Sequence, residues 1–400
     1  MIRTASLLGL VFTVGCATAT SGDPAASGAD TGAGDSAAAD SGDTAGTETG
    51  DTGADTADTG AENDDVAILT LNLHCFKLDG TGFADNDARF SAIAAAVAAE
   101  GVRAMAVQEA CETDTEGKAI ERLAAALTAA TGVSWGTAWT PTHTAWAGTP
   151  DEAQEGVGIL TAGGDPTNVA TLVYSVQGGL ERRLLAGSFT TAAGSAVRLA
   201  TVHLDYDDPA ARRAQARQSA MDVLVHADGA WGGLLAGDFN AFASDDAVMD
   251  VTAAGFTRLS SASDPDGDQI DHVLAPTAAN FEVLGSRLVF TGDHEPVVSD
   301  HPGVVVQLRR RAPVEMAATR FAATYDAGLG NFLTLRGEPS PLGWEAGWPA
   351  VNTAADRWEA VLLGGSGTIA YKWLLDDATW ESGENREAAV GADAEDEPSF

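Results

Sequence analysis

Basic residues are scarce in this 400-residue chain: 22 Lys and Arg stand against 58 Asp and Glu, a formal net charge of −36. The deficit holds in every region. Residues 17–65 carry 12 acids and no base, residues 66–311 carry 31 acids against 16 bases, and residues 312–400 carry 15 against 5. A protein that grips nucleic acid through counterion release shows a basic stripe. None is present, which counts against a tight or processive DNA binder but not against an enzyme that meets phosphate through a bound cation. Cysteine is equally sparse: Cys16, Cys75 and Cys111 are too few for a disulfide framework. The apolar run from Ala5 to Gly15 is too short to span a bilayer.

That run follows Arg3 and ends in a small residue, the pattern of a cleaved signal peptide over residues 1–15. Thr13-Val14-Gly15-Cys16 resembles a bacterial lipobox, which implies lipidation of Cys16 and attachment to the cell envelope, at a periplasmic or cell-surface face. The alternative is an ordinary signal peptide beside a chance cysteine. Except for Pro24, Glu48, Glu62 and Asn63, residues 17–65 are all Gly, Ala, Ser, Thr or Asp. Such a segment has almost no apolar surface to bury and is expected to be a disordered spacer reaching roughly 40 Å. Residues 16–65 therefore read as anchor and linker.

Residues 66–311 read as one folded domain. Val66–Leu73 and Val102–Gln108 are expected strands, Arg89–Glu100 an Ala-rich amphipathic helix, and Val197–Leu204, Leu234–Ala236 and Val304–Leu308 further strands. Polar residues fall at the strand ends, where they can converge on one rim. Six fragments occur in order: Thr70-Leu71-Asn72, Val107-Gln108-Glu109, Val202-His203-Leu204, Gly237-Asp238-Phe239-Asn240, Ile270-Asp271-His272-Val273 and Ser299-Asp300-His301-Pro302. Together they resemble the endonuclease/exonuclease/phosphatase superfamily, whose members include deoxyribonucleases, sphingomyelinases and inositol polyphosphate phosphatases. The resemblance implies a four-layer α/β/β/α sandwich and hydrolysis of a phosphoester.

The chemistry accounts for the residue types. A phosphodiester is anionic and repels hydroxide, so a hard cation must neutralise it. The resemblance implies Mg²⁺ or Mn²⁺ held by Glu109, Asn72 and Asp300, with His301 as general base and Asp271 orienting it. Asp238 and Asn240 would flank the attacking water, and His203 would donate to the phosphate. Taken singly, each fragment has a plainer reading: Glu109 as a surface carboxylate, Asn72 as a turn cap, His203 as a core histidine. Six such coincidences in the right order are improbable. Trp135, Trp139, His143 and Trp146 lie where the family contacts its substrate but match no motif position. Arg182 and Arg183 suit phosphate contacts or an ordinary exposed pair equally well. If Asn72 and Glu109 meet at one ion, Cys75 and Cys111 are neighbours, and a disulfide between them is expected over two separate small core residues.

Five of the nine tryptophans fall in residues 312–400, among strand-like segments rich in Gly and Pro, so a small all-β sandwich is expected. Phe332–Gly337, Pro341–Trp344, Asp356–Val361, Ala370–Trp373 and Thr379–Arg386 resemble a starch-binding module of carbohydrate-binding family 20. The resemblance implies an α-glucan platform of Trp344, Lys372 and Trp380, with Trp358 in the core and Trp348 as a second candidate for stacking. The alternative is a sandwich whose tryptophans are buried.

The expected protein is a monomeric, lipid-anchored phosphoesterase acting on nucleic acid or a phospholipid head group. A sphingomyelinase-like phospholipase is one alternative. A glycan-binding surface protein with an inactive enzyme domain is another, and the intact Asn72, Glu109, Asp238, Asp300 and His301 argue against it.

Overall fold

The structure is a computed structural model that describes residues 64–227, 232–277, 279, 281–311 and 317–400. The expected signal peptide, lipidated Cys16 and linker lie outside the described residues. Among those described, no helix is long and apolar enough to cross a membrane.

The chain runs through β1 (Asp65–Asn72), α1 (Asn86–Glu100), β2 (Val102–Gln108), β3 (Glu112–Thr113), β4 (Gly117–Lys118), α2 (Ala119–Thr131), β5 (Trp135–Ala145) and β6 (Ala153–Ala162). It continues through β7 (Thr167–Val173), β8 (Arg183–Thr190), β9 (Ala196–His203), α3 (Pro209–Val225), β10 (Gly233–Asp238) and α4 (Asp246–Ala253). Then come β11 (Phe256–Arg258), β12 (Asp271–Pro276), β13 (Phe281–Val289) and β14 (Gly303–Arg310). One sheet has the order β13-β14-β1-β2-β6-β3-β4, with β5 paired to β6; the other has the order β11-β12-β10-β9-β8-β7.

β1 shows why the sheets stack. Side chains alternate between faces along a strand, and both faces of β1 are buried, so its sequence is apolar nearly throughout. Val66 and Ile68 join Leu199, Ala236, Val304 and Val306 in the core between the sheets. Leu69 and Leu71 join Phe90, Ile93, Val97 and Leu123 beneath α1 and α2. The second sheet turns its other face to α3 and α4. This is the expected four-layer sandwich. α1 starts three residues before the expected Arg89, where the Asp85 carboxylate caps it by accepting from Ala88 N at 2.8 Å.

Residues 318–396 form β15 (Ala318–Thr324), β16 (Leu333–Glu338), β17 (Trp348–Pro349), β18 (Val351–Ala354), β19 (Arg357–Leu363), β20 (Thr368–Leu375), β21 (Thr379–Trp380), β22 (Arg386–Ala389) and β23 (Asp393–Asp396). They pair as β18-β19-β15-β23 and as β17-β16-β20-β21, with β22 on β20. Phe321, Leu333, Leu335, Trp348, Trp358, Tyr371 and Trp373 fill this second sandwich.

The two sandwiches share a core. The cluster beneath α3 and α4 continues without a break into the tryptophans of the C-terminal sandwich. α3 lies between them and is buried almost all round, polar residues included. Arg217 donates to the carbonyls of Ala346 (3.2 Å) and Gly347 (3.0 Å), and its guanidinium sits 5.3 Å from the Trp348 ring. Two residues before Arg217, Gln215 accepts from Asp205 N (2.8 Å), and Arg212 in the first turn of α3 donates to the carbonyls of Asp205 and Tyr206. The C-terminal sandwich thus backs the helix that holds the loop at residues 205–206.

Candidate active site

Strand direction gathers the polar residues on one rim. β1 and β2 are parallel, as are β9 and β10, so Asn72, Glu109, His203 and Asp238 stand at or just beyond their C-terminal ends. β12 and β14 run antiparallel to these neighbours, so Asp271 opens β12 and Asp300 and His301 precede β14 on the same rim. Asp238 is directly opposite His203 on one side and Asp271 on the other. Beneath them a buried polar link joins the sheets: Gln108 donates to Thr201 Oγ1 at 3.0 Å and accepts from Thr70 at 3.4 Å. Gly237, with φ 144°, must be glycine, because a Cβ there would collide with the Val202 carbonyl oxygen of β9. The residue before Asp238 thereby allows its strand to approach closely.

Asn72 is fully buried and acts as a bridge. Its Nδ2 donates to Glu109 Oε1 (3.1 Å) and Asp238 Oδ2 (3.3 Å), while its Oδ1 accepts from His74 N (2.9 Å). Asp238 Oδ1 accepts from Asn240 N (2.7 Å), and Asn240 Nδ2 donates to Leu204 O (3.0 Å). His301 Nδ1 donates to Asp271 Oδ2 at 2.7 Å and lies 4.0 Å from Asp238 Oδ2. Ser299 Oγ donates to Asp300 Oδ1 (3.1 Å). Five of the eight expected residues, Glu109, His203, Asp238, Asn240 and His301, line one cavity of roughly 350 Å³; Asn72 and Asp271 are bonded directly behind it, and Asp300 stands exposed at the rim beside His74.

Three further residues belong to this wall. Glu155 of β6 is buried; its Oε1 accepts from Arg182 Nη1 (3.0 Å) and lies 3.3 Å from His203 Nδ1, and its Oε2 lies 3.5 Å from His143 Nε2. Arg182 is buried, which corrects the reading of Arg182 and Arg183 as an exposed pair: Arg183 alone is outward, paired with Glu181. His143 lines the same cavity. Trp135 is core, and Trp139 donates to Ala110 O (2.7 Å); only Trp146 of the three remains at the surface. Glu155 was hidden in a segment that matches no motif, and no sequence signal distinguishes it from any other strand glutamate.

Charge shapes the site. Burial opposes the His301 imidazolium, but the Asp271 hydrogen bond and the charges of Asp271, Asp238 and Asp300 outweigh it and raise the pKa to about 9. Asp271 is pushed upward by burial and by Asp238. Burial alone would raise Glu155 too; His203, Arg182 and His143 reverse this and hold it at about 2. His143 is lowered by burial. Glu109 and Asp300 face each other across His74, and donor atoms of Asp238, Asp271 and His301 lie within 4.8 Å of one another. Carboxylate oxygens at this density fit a divalent cation. Cys75 also approaches Glu109 and Glu155, but it is bonded to Cys111 and offers no thiolate. That disulfide ties the turn after Asn72 to the segment after Glu109, with Cα atoms 4.8 Å apart.

In the C-terminal sandwich, Trp344 and Trp380 form an outward pair with ring centroids 6.2 Å apart and planes at 33°. Trp380 is exposed, and the Arg336 guanidinium lies 5.3 Å from its ring. Lys372 is buried, and its ammonium donates to the carbonyls of Glu381 (3.0 Å) and Gly383 (2.6 Å). Trp358 is core. Trp348 is not available for stacking: it is 1% exposed and its indole donates to Pro341 O at 3.0 Å.

A sandwich of two sheets with this rim of acids and histidines defines a phosphoester hydrolase fold. The chain belongs to the endonuclease/exonuclease/phosphatase family, whose sequence model matches residues 69–301. Members of the family act on phosphoesters and generally depend on a divalent metal. Among solved structures, the chain is similar to an endonuclease/exonuclease/phosphatase from Beutenbergia cavernae, at 18% identity and a TM-score of 0.50, over 82% of this chain and 100% of that one. A family protein from Leptotrichia buccalis is 16% identical with a TM-score of 0.48, over 61% of this chain and 99% of that one. A mannosyl-6-phosphatase from Bacteroides thetaiotaomicron is also 16% identical, with a TM-score of 0.43 over the same shares. No curated protein matches the chain significantly.

Proposed function

We propose that this protein is an exported, divalent-metal-dependent phosphoesterase that hydrolyses a small phosphodiester or phosphomonoester at the cell envelope. One observation carries the reading: His301 is hydrogen-bonded to Asp271 at 2.7 Å, beside Asp238 and on the rim that carries Glu109 and Asp300. Glu109 and Asp300 would hold the cation, which would neutralise the phosphate and favour deprotonation of its surroundings. Asp271 fixes the His301 tautomer, so the free Nε2 takes the proton of the attacking water. Asn240 and Asp238 position that water. Arg182 and His203, kept in place by Glu155, bear on a phosphate oxygen.

The substrate's remainder is set by the neighbouring surface. Trp146 and Thr144 separate the site from a larger cavity of roughly 580 Å³ lined by Glu112, Asp114, Glu116, Asp151 and Glu152. A polynucleotide would bring flanking phosphates toward these acids, so a head group that is neutral or cationic fits better, as in the sphingomyelinase-like alternative. Turnover of nucleic acids, sphingomyelin, inositol phosphates and a generic phosphodiester with Mg²⁺ or Mn²⁺ tests this. Hydrolysis of long DNA ahead of every small ester would overturn it. Trp344 and Trp380 are proposed to dock the enzyme on α-glucan, and a lipid on Cys16 to hold it at the membrane. A Cys16→Ser chain that stays in the membrane fraction would end the second idea.

A further inference from the structure

Arg89 stands in the first turn of α1, fully buried, and lines neither cavity. Among the described residues its polar partners are four carbonyl oxygens and no carboxylate. Nη1 donates to Leu73 O (2.9 Å), Lys77 O (3.0 Å) and Val298 O (3.4 Å), and Nη2 donates to Cys75 O (2.7 Å). Burial, reinforced by the charge of Arg122, lowers its pKa to about 10, so it remains a cation at neutral pH. A buried cation without a counter-charge is destabilising, and a place near a helix N-terminus adds to the penalty. Stability alone does not account for it.

The carbonyls it gathers belong to two loops of the rim. Leu73, Cys75 and Lys77 lie on the turn after Asn72, where His74 and Cys75 hold left-handed φ of 49° and 48°. That turn orients the Asn72 amide. His74 N donates to Asn72 Oδ1 (2.9 Å), which leaves Nδ2 to donate to Glu109 (3.1 Å) and Asp238 (3.3 Å). Val298 stands one residue before Ser299, whose Oγ donates to Asp300 (3.1 Å) and accepts from His301 N (3.3 Å). One guanidinium, its donors fixed in a plane, thus sets the turn behind Asn72 against the loop that carries His301.

We propose that Arg89 is a positioning residue for the hydrolysis: it touches no substrate but holds the Asn72 turn and the His301 loop at the spacing the reaction needs. A small displacement of a reacting group, of about 1 Å, is enough to slow a reaction on the order of a hundredfold. The inference rests on the roles proposed above for His301 and its neighbours, and the test separates the two.

The full-length protein and its variants are assayed on a generic phosphodiester with Mg²⁺ or Mn²⁺. Arg89→Ala should lower kcat on the order of a hundredfold while KM moves less than about threefold. Added guanidinium at millimolar concentration should restore part of the loss by refilling the vacated space. Arg89→Lys keeps the charge without the planar fork and should lose about tenfold in kcat. Ile93→Ala, one turn further along α1 in the same core, should lower the melting temperature comparably and leave kcat unchanged. Undiminished kcat in the Arg89 variants, an equal fall in Ile93→Ala, or no response to guanidinium overturns the proposal. If Arg89→Ala does not fold, Arg89→Lys decides alone, and full kcat there counts against the clamp. A wild type that hydrolyses no phosphoester, or one that His301→Ala leaves at full rate, shows instead that the reading of the site is wrong, and the inference falls with it.

Discussion

His301 Nδ1 donates to Asp271 Oδ2 across the junction of the two sheets, the donor on the turn before β14 and the acceptor on β12. The pair exists only when the sheets are stacked. Its charge has two opposite consequences with pH. His301 is raised from 6.5 to about 9, so the stability from its imidazolium is complete below about pH 6.5 and is lost as pH rises through about 9. Activity that needs the neutral ring rises with pH instead. Asp271→Asn removes a charge that raises His301, so the acidic limb of the kcat/KM profile should move to lower pH. The plateau should fall on the order of a hundredfold as the tautomer is lost. A limb that does not move means that another group titrates, with Asp238 the next candidate.

Glu109→Ala should reduce turnover on the order of a thousandfold at saturating Mg²⁺ or Mn²⁺ while the melting temperature changes little. Near wild-type turnover would remove Glu109 from the metal centre.

Glu155 should govern acid stability. Its pKa is depressed from 4.5 to about 2, so its contribution is present above about pH 4.5 and is lost as pH falls through about 2. Glu155→Gln leaves Arg182 buried without its counter-charge, which should cost about 3 kcal/mol at neutral pH. Denaturant melts at a series of pH values should show a flatter acid slope for the variant. Parallel slopes would show that the cluster does not set acid stability.

Removing residues 312–400 should not leave a normal enzyme. It strips the cover from α3, which carries the loop at residues 205–206, so the truncated chain should melt earlier or aggregate. Arg217→Ala is the milder probe. It loses the carbonyls of Ala346 and Gly347 and one partner of Asp250, and should cost about 2–3 kcal/mol. Calorimetry should show one transition for the intact chain; two well-separated transitions would mean that the sandwiches fold independently.

Trp380→Ala should weaken retention on insoluble starch roughly tenfold with hydrolysis of a small soluble ester unchanged. Equal retention would leave the tryptophan pair without a role in binding.

By itself the sequence determined β1, β2, β9, β10 and β14 of the first sandwich and the order of the rim. β1 and β2 are buried on both faces over most of their length, so they are mostly apolar, interrupted by Thr70 and Arg103, and a polar residue ending such a run falls at the rim. Asn72, Glu109, His203 and Asp238 were legible at the ends of such strands, and Asp271, Asp300 and His301 through the six ordered fragments that resemble the family. Only the tertiary structure decided the rest. Glu155 and Arg182 meet because β6 and the turn before β8 are brought together by stacking, and nothing in either segment marks the pairing. His74 faces the carboxylates because the Arg89 clamp and the Cys75–Cys111 bond hold a backbone angle that composition does not express. α3 carries the polar residues Gln215, Arg217, Gln218 and Asp222, all buried in the structure. It is buried because the second sandwich covers it and supplies partners for Arg217 and Gln218, while Gln215 and Asp222 find theirs within the first, and a polar residue is legible as buried only when its partner is known.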